Sequence, residues 1–86
     1  MKQRIDNLNR NRYDIIACIL TVAKQNSKKT RLMYHSNLSY RIFCGYFNFL
    51  LNNQFLKENN GGYKITEKGF SYLEAYNQLY SILVTD

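Results

Sequence analysis

Residues 55–66 read Phe55-Leu56-Lys57-Glu58-Asn59-Asn60-Gly61-Gly62-Tyr63-Lys64-Ile65-Thr66. Two β-prone segments, Phe55–Glu58 and Tyr63–Thr66, flank the tetrapeptide Asn59-Asn60-Gly61-Gly62. Asn and Gly tolerate positive φ, so this stretch predicts a β-hairpin. The rest of the chain has helical periodicity. One hairpin between a helical bundle and a last helix therefore decides the fold.

Upstream of the hairpin the spacing predicts three helices. The first runs from about Arg12 to Gln25, where Tyr13, Ile16, Ala17, Leu20 and Ala23 form one apolar face that Ile15, Ile19 and Val22 widen. Asn26-Ser27 ends it. A short helix follows over Lys29–His35, with Leu32, Met33 and Tyr34 as its expected buried side. Ser36-Asn37-Leu38 reads as a tight turn, Ser39 as an N-cap, and Tyr40–Asn52 as a third helix with Phe43, Tyr46, Phe47 and Leu50 inward. Two helices joined by about three residues make a helix-turn-helix unit, and the hairpin after it would be a wing.

Downstream, Thr66 is the expected N-cap of a helix through Phe70, Leu73, Tyr76, Leu79, Tyr80 and Leu83. Tyr72, Ala75 and Ile82 add apolar surface on its other faces. One small domain covers only one side of such a helix, so a second copy of the chain is the natural cover for another. The organisation predicted is a basic N-terminal arm or helix extension over 1–11, a core over 12–66 and a dimerisation helix over 67–86.

The 86 residues carry a net charge of +6, and the pI is about 9.5. Residues 1–31 hold eight Lys and Arg against Asp6 and Asp14, whereas residues 32–86 balance four against four. The basic excess is therefore confined to the first third. Such a surface attracts polyanions, of which nucleic acid is the commonest, or simply keeps the chain in solution. Cys18, Cys44 and the single His35 fall short of the four ligands a structural zinc needs, and no metal or cofactor is expected. No apolar run approaches the ~20 residues of a membrane span, and Met1–Arg12 lacks the features of a signal peptide. With two unpaired thiols this suggests a cytoplasmic protein. Six scattered acidic residues, no Ser/His/Asp or Cys/His arrangement and no phosphate-cradling Gly loop argue against an enzyme, and no small-molecule ligand is inferred.

The segments Lys29-Thr30-Arg31-Leu32-Met33-Tyr34, Asn37-Leu38-Ser39-Tyr40, Tyr46, Leu50-Leu51 and Tyr63-Lys64-Ile65-Thr66-Glu67-Lys68-Gly69, in that order and spacing, resemble an archaeal winged helix-turn-helix family. The resemblance covers about Arg12–Tyr80. It is strongest to small dimeric archaeal chromatin proteins of about ten kilodaltons and to related transcription regulators. It implies an α+β, mainly α fold: a three-helix core, a β-hairpin wing and a C-terminal dimerisation helix. It also implies a nucleoid-associated homodimer that binds double-stranded DNA, with the third helix in the major groove and the wing on the backbone or minor groove. Two positions depart from the pattern. Cys44-Gly45 stand where relatives often carry Lys or Arg, and Gln54 stands where relatives usually have Gly.

On that geometry Ser39, Tyr40, Arg41, Cys44 and Asn48 are candidates for groove contact, with Arg41 foremost because guanidinium can bind guanine in a bidentate manner. Lys28, Lys29, Thr30 and Arg31 lie where a helix-turn-helix meets the DNA backbone. Lys57 and Lys64 are candidate phosphate contacts on the wing, with Asn59 and Asn60 at its tip. Phe70, Leu73, Tyr76, Leu79, Tyr80 and Leu83 are the candidate dimer interface. A second class of function stays open, a winged helix turned protein-interaction module with weak or no DNA binding.

Overall fold

A computed structural model of the protein describes residues 10–84. The first nine residues of the predicted arm lie outside that range. The elements are α1 (Arg12–Val22), α2 (Lys29–Ser36), α3 (Tyr40–Asn52), β1 (Leu56–Asn59), β2 (Gly62–Ile65) and α4 (Glu67–Val84). This is the expected winged helix-turn-helix, mainly helical with one hairpin.

Helix α1 begins in a capping box. The Asn11 side chain accepts from the Asp14 backbone N–H at 2.9 Å, and Asp14 Oδ2 accepts from the Asn11 N–H at 3.0 Å. The helix ends at Val22, three residues before the predicted end. Lys24 and Gln25 tighten to i→i−3 bonds, and Ser27 is drawn into an antiparallel bridge with Tyr63. That bridge needs extended backbone, so α1 cannot continue. Ile15, Ile16, Ala17, Ile19 and Leu20 are buried as the periodicity requires, but Tyr13 is 58% exposed. What α4 engages at Tyr13 is the carbonyl, which accepts from the Tyr72 hydroxyl at 2.7 Å.

Helix α2 buries Leu32 and exposes Tyr34, contrary to the reading that placed both inward. The two stand about 200° apart around a helix, so burying one exposes the other. Asn37 then takes a left-handed conformation, φ 60°, and turns the chain towards α3. Ser39 caps α3 by accepting from the Ile42 N–H at 3.4 Å. Phe43, Phe47 and Leu50 form its core stripe, with Tyr46 half-buried beside them.

The end of α3 is a Schellman motif. Phe55 N–H donates to the Leu50 carbonyl and Gln54 N–H to the Leu51 carbonyl, at 2.8 and 3.1 Å. Gln54 is the left-handed residue, φ 65°. The accompanying apolar contact is Phe55 stacked on Phe49, ring centroids 6.2 Å apart. A glutamine thus holds the left-handed position that glycine most often takes at a helix end.

The hairpin is tighter than its sequence suggests. Asn59 pairs with Gly62, so the turn is Asn60-Gly61 alone, with φ of 51° and 80°. Two successive positive φ values make the type I′ turn that matches strand twist. Ser27 adds a short third edge by exchanging two backbone hydrogen bonds with Tyr63 at 3.0 and 2.7 Å. Gly62 permits this approach, since a Cβ there would lie 2.9 Å from Asn26 Nδ2 and 3.1 Å from the Ser27 carbonyl.

Thr66 caps α4, accepting from Gly69 N–H at 3.1 Å while donating to the Gln54 carbonyl at 2.6 Å. The first half of α4 belongs to the core. Leu73 is buried, and the Tyr76 hydroxyl donates to Asp14 Oδ1. Further along, Leu79, Tyr80, Ile82 and Leu83 are exposed. Among the described residues no helix is long and apolar enough to cross a membrane.

Candidate nucleic-acid interface

Arg12, Lys24 and Lys68 are exposed on or beside α1 and α4, and the helix-turn-helix and wing bring further basic side chains to the surface from three elements. The first is the start of α2. Its N-cap, Lys28, is extended and makes no side-chain capping bond. The first N–H groups of α2 are therefore left without a side-chain partner, beside the exposed Lys28, Thr30 and Arg31. Lys29 behaves differently. It is half-buried, with Nζ 4.9 Å from the Phe47 ring centroid and 5.7 Å from that of Tyr40. It fastens α2 to α3 by cation–π contact.

The second element is the outer face of α3. Arg41 and Asn48 are exposed and Cys44 is half-buried against the core. The Ser39 hydroxyl is used by its own cap, and Tyr40 is 64% exposed beneath the Lys29 ammonium. Two further exposed residues share this face, Gly45 and Asn52. Gly45 is one of the two positions at which the chain departs from the family pattern, and Asn52, not among the expected site residues, lies four residues beyond Asn48 and so one turn along the same side.

The third element is the wing. Lys57 and Lys64 are direct cross-strand partners. They lie on the face opposite Leu56 and Ile65, which are buried. Like charges directly opposite one another repel, and an anion placed over both relieves that cost. Asn60 is exposed at the tip, whereas Asn59 is half-buried and its carbonyl accepts from Asn26 Nδ2 at 2.8 Å. Tyr63 connects wing to helix, its ring edge-on to Phe47 with centroids 4.8 Å apart. Among the described residues, Lys28, Arg31, Arg41, Lys57 and Lys64 have no carboxylate within ion-pair distance.

On α4, the expected dimer face divides. Phe70, Leu79, Tyr80 and Leu83 are exposed and Tyr76 is half-buried. Leu73 is only 4% exposed, so it is spent inside the domain and has little surface to give a second copy. Tyr72, Tyr76 and Tyr80 stack in succession, with centroids 6.3 and 6.2 Å apart, and Phe55 meets Tyr72 edge-on. The Cys18 thiol donates to the His35 carbonyl at 3.5 Å, and burial pushes its pKa up. Among the described residues no group of His, Cys, Asp and Glu is arranged to hold a metal.

Comparison with known proteins gives three kinds of match. A family model described as winged helix-turn-helix matches residues 9–83. The uncharacterized protein MJ0287 of Methanocaldococcus jannaschii is 34% identical over 83 residues, covering 95% of this chain and 86% of that protein. The uncharacterized protein MJ0290 of the same organism is 33% identical over 86 residues, but the chain spans only 41% of its length. Among solved structures, Sso10a-2, a DNA-binding protein from Sulfolobus solfataricus, matches with a TM-score of 0.73 and 26% identity, covering 85% of this chain and 81% of that one.

Proposed function

The chain belongs to the winged helix-turn-helix family, and from that premise we propose that it is a homodimeric archaeal protein that binds duplex DNA. It acts as a transcription regulator or as an architectural protein of the nucleoid, and no catalytic step is part of the reading. The observation that carries the proposal is a basic surface without ion pairs among the described residues, shared by three elements: Lys28 and Arg31 at the start of α2, Arg41 on α3, and Lys57 opposite Lys64 on the wing. Phosphates would fix register through α2 and the wing, and α3 would face base edges. Likeness to Sso10a-2 supports this reading.

The homodimer is supported by Leu79, Tyr80, Ile82 and Leu83, which project apolar surface that the domain does not cover. Tyr76, Leu79, Tyr80 and Leu83 fall within an arc of about 100° on α4, the face where a second copy would pack, and Phe70 stands away from it.

A second reading has its own observation. Arg12, Ile16, Ile42, Gly45, Tyr46 and Phe49 line a groove between α1 and α3, in which Ile42 and Phe49 are about half exposed. An apolar groove of this kind suits a protein partner. Titration of random-sequence duplex at low and high salt separates the two. The DNA reading expects binding that weakens steeply as salt rises. No binding at low salt would leave the interaction module. Light scattering on the same samples reads the dimer mass.

A further inference from the structure

A trough of about 410 Å³ runs over the outer side of α1. It shares no residue with the basic surface or with the apolar groove. Asp14, Ala17, Cys18 and Thr21 supply its floor. They recur at i, i+3, i+4 and i+7, one side of a helix, and the side away from the buried Ile19. The end of α2 gives one wall at His35, and α4 gives the other at Tyr76 and Asn77.

Two opposite charges line this trough, and both are half-buried. Arg10 Nη2 donates to the Ser36 carbonyl at 2.7 Å, and the other guanidinium N–H groups are unused among the described residues. Burial raises the Cys18 pKa and the nearby Arg10 charge opposes that rise, which sets the guanidinium close to the floor. Asp14 gives one oxygen to the Asn11 N–H and the other to the Tyr76 hydroxyl. Each oxygen keeps room for a further donor. Among the described residues Arg10 and Asp14 do not pair with each other. The Asn77 carboxamide and the His35 ring nitrogens make no hydrogen bond within the same range. The Thr21 hydroxyl, by contrast, is spent on the Ala17 carbonyl at 2.7 Å.

Charges withdrawn from water are costly without partners. A guanidinium and a carboxylate that line one trough and do not meet leave space for a molecule between them. A simple anion would satisfy Arg10 and be repelled by Asp14, and a simple cation would meet the reverse. A molecule carrying both charges satisfies both. The volume stands at the lower end of small-molecule sites. We propose that the trough binds a small zwitterion of the α-amino-acid class, its carboxylate on Arg10 and its ammonium on Asp14. Asn77 and His35 supply further hydrogen bonds, and Ala17 and Val22 the apolar contact for a side chain. A ligand held there braces the end of α2 against α4. From Arg10 to Asn77 the lining spans most of the chain, so no local motif marks it. The site does not depend on the DNA reading.

The test screens the full chain by thermal unfolding against the standard L-amino acids, each at roughly 10 mM. At least one should raise the thermal midpoint by about 2 °C or more. Calorimetric titration of that amino acid, its N-acetyl form and its methyl ester then reads the two charges separately. Each blocked form should bind at least about tenfold more weakly. Arg10→Gln and Asp14→Asn should each lose about tenfold or more for the free amino acid. Asn77→Ala, on an exposed side of α4, keeps the site testable if Asp14→Asn unfolds, and should lose about three- to tenfold. Lys57→Gln, on the wing, should bind as the parent does. No shift with any amino acid would overturn the proposal. So would blocked forms that bind as well as the free amino acid, or Arg10→Gln and Asn77→Ala proteins that bind as the parent does. None of these results touches DNA binding, whose residues lie elsewhere.

Discussion

The Asp14 carboxylate serves two helices at once, accepting from the Asn11 backbone N–H with Oδ2 and from the Tyr76 hydroxyl with Oδ1. The N-terminal cap of α1 and the docking of α4 therefore share one side chain. Asp14→Ala should cost about 1–2 kcal/mol through the lost cap and the orphaned tyrosine, and Tyr76→Phe about 1 kcal/mol. A double-mutant cycle by urea unfolding should show the two costs to be coupled. Simple additivity would mean that the Tyr76 bond contributes nothing.

Alkali should weaken the fold through the tyrosines of α4. Burial and the neighbouring Asp14 raise both hydroxyls, Tyr72 to about 12 and Tyr76 further still, from an ordinary value of 10.0. Below about pH 10 both are protonated in the folded and the unfolded chain, so their contribution is constant. Above it the unfolded chain releases protons that the folded chain retains, and stability falls with each step. Thermal midpoints should decline from about pH 10 upward, and a Tyr72→Phe/Tyr76→Phe protein should decline less over that window. Equal slopes for the two proteins would count against the assignment.

Gln54→Gly should stabilise the protein. A left-handed glutamine at φ 65° is strained in a way that glycine is not. After the entropy that glycine loses on folding, the net gain is about 0.5–1 kcal/mol, or roughly 2–8 °C in the thermal midpoint. Gln54→Ala keeps the strain and should give no gain, so a rise in that control would point to a different cause.

Arg31 and Lys29 are neighbours with separable roles. Arg31→Ala should leave stability within about 0.5 kcal/mol and reduce the slope of log affinity against log salt by about one, on every DNA sequence alike. Lys29→Ala removes the contact with the Phe47 ring and should destabilise by about 0.5–1 kcal/mol. Identical melts for the two variants would refute the cation–π role, and an unchanged salt slope for Arg31→Ala would place that residue away from DNA.

Periodicity made the helices legible, and the bounds of α3 follow from Ser39 and Asn52 as read. Side-chain direction was harder. Tyr34 looked buried because it sits in an apolar run, yet a run of three cannot all face inward on a helix. The capping box of α1 is written plainly as Asn11-Arg12-Tyr13-Asp14 and went unread because aspartate in a first turn is common. The hairpin was identifiable from Asn59–Gly62, and Asn60-Gly61 is itself a local signal for a two-residue turn. What nothing local reveals is that Asn26 and Ser27, more than thirty residues away, close against the wing. The site was legible by residue type and less so by role. Lys29 and Arg31 look alike in sequence, and only the position of the Phe47 ring separates them. Asn52 joins the candidates only once the free side of α3 is known.

The bridge between Ser27 and Tyr63 has a consequence for the entropy of binding. It joins the segment leading into α2 to the strand that carries Lys64. Two sets of positive charge, on a helix start and on a hairpin, are thereby held at a fixed separation before any duplex arrives. A hairpin fastened only at its base would also have its backbone immobilised on contact, at a cost in affinity. In this chain the backbone is placed during folding, and the lysine side chains are what contact still has to order. A polyanion whose phosphates match the spacing gains the full attraction, and one that does not match gains little from the wing adjusting to it.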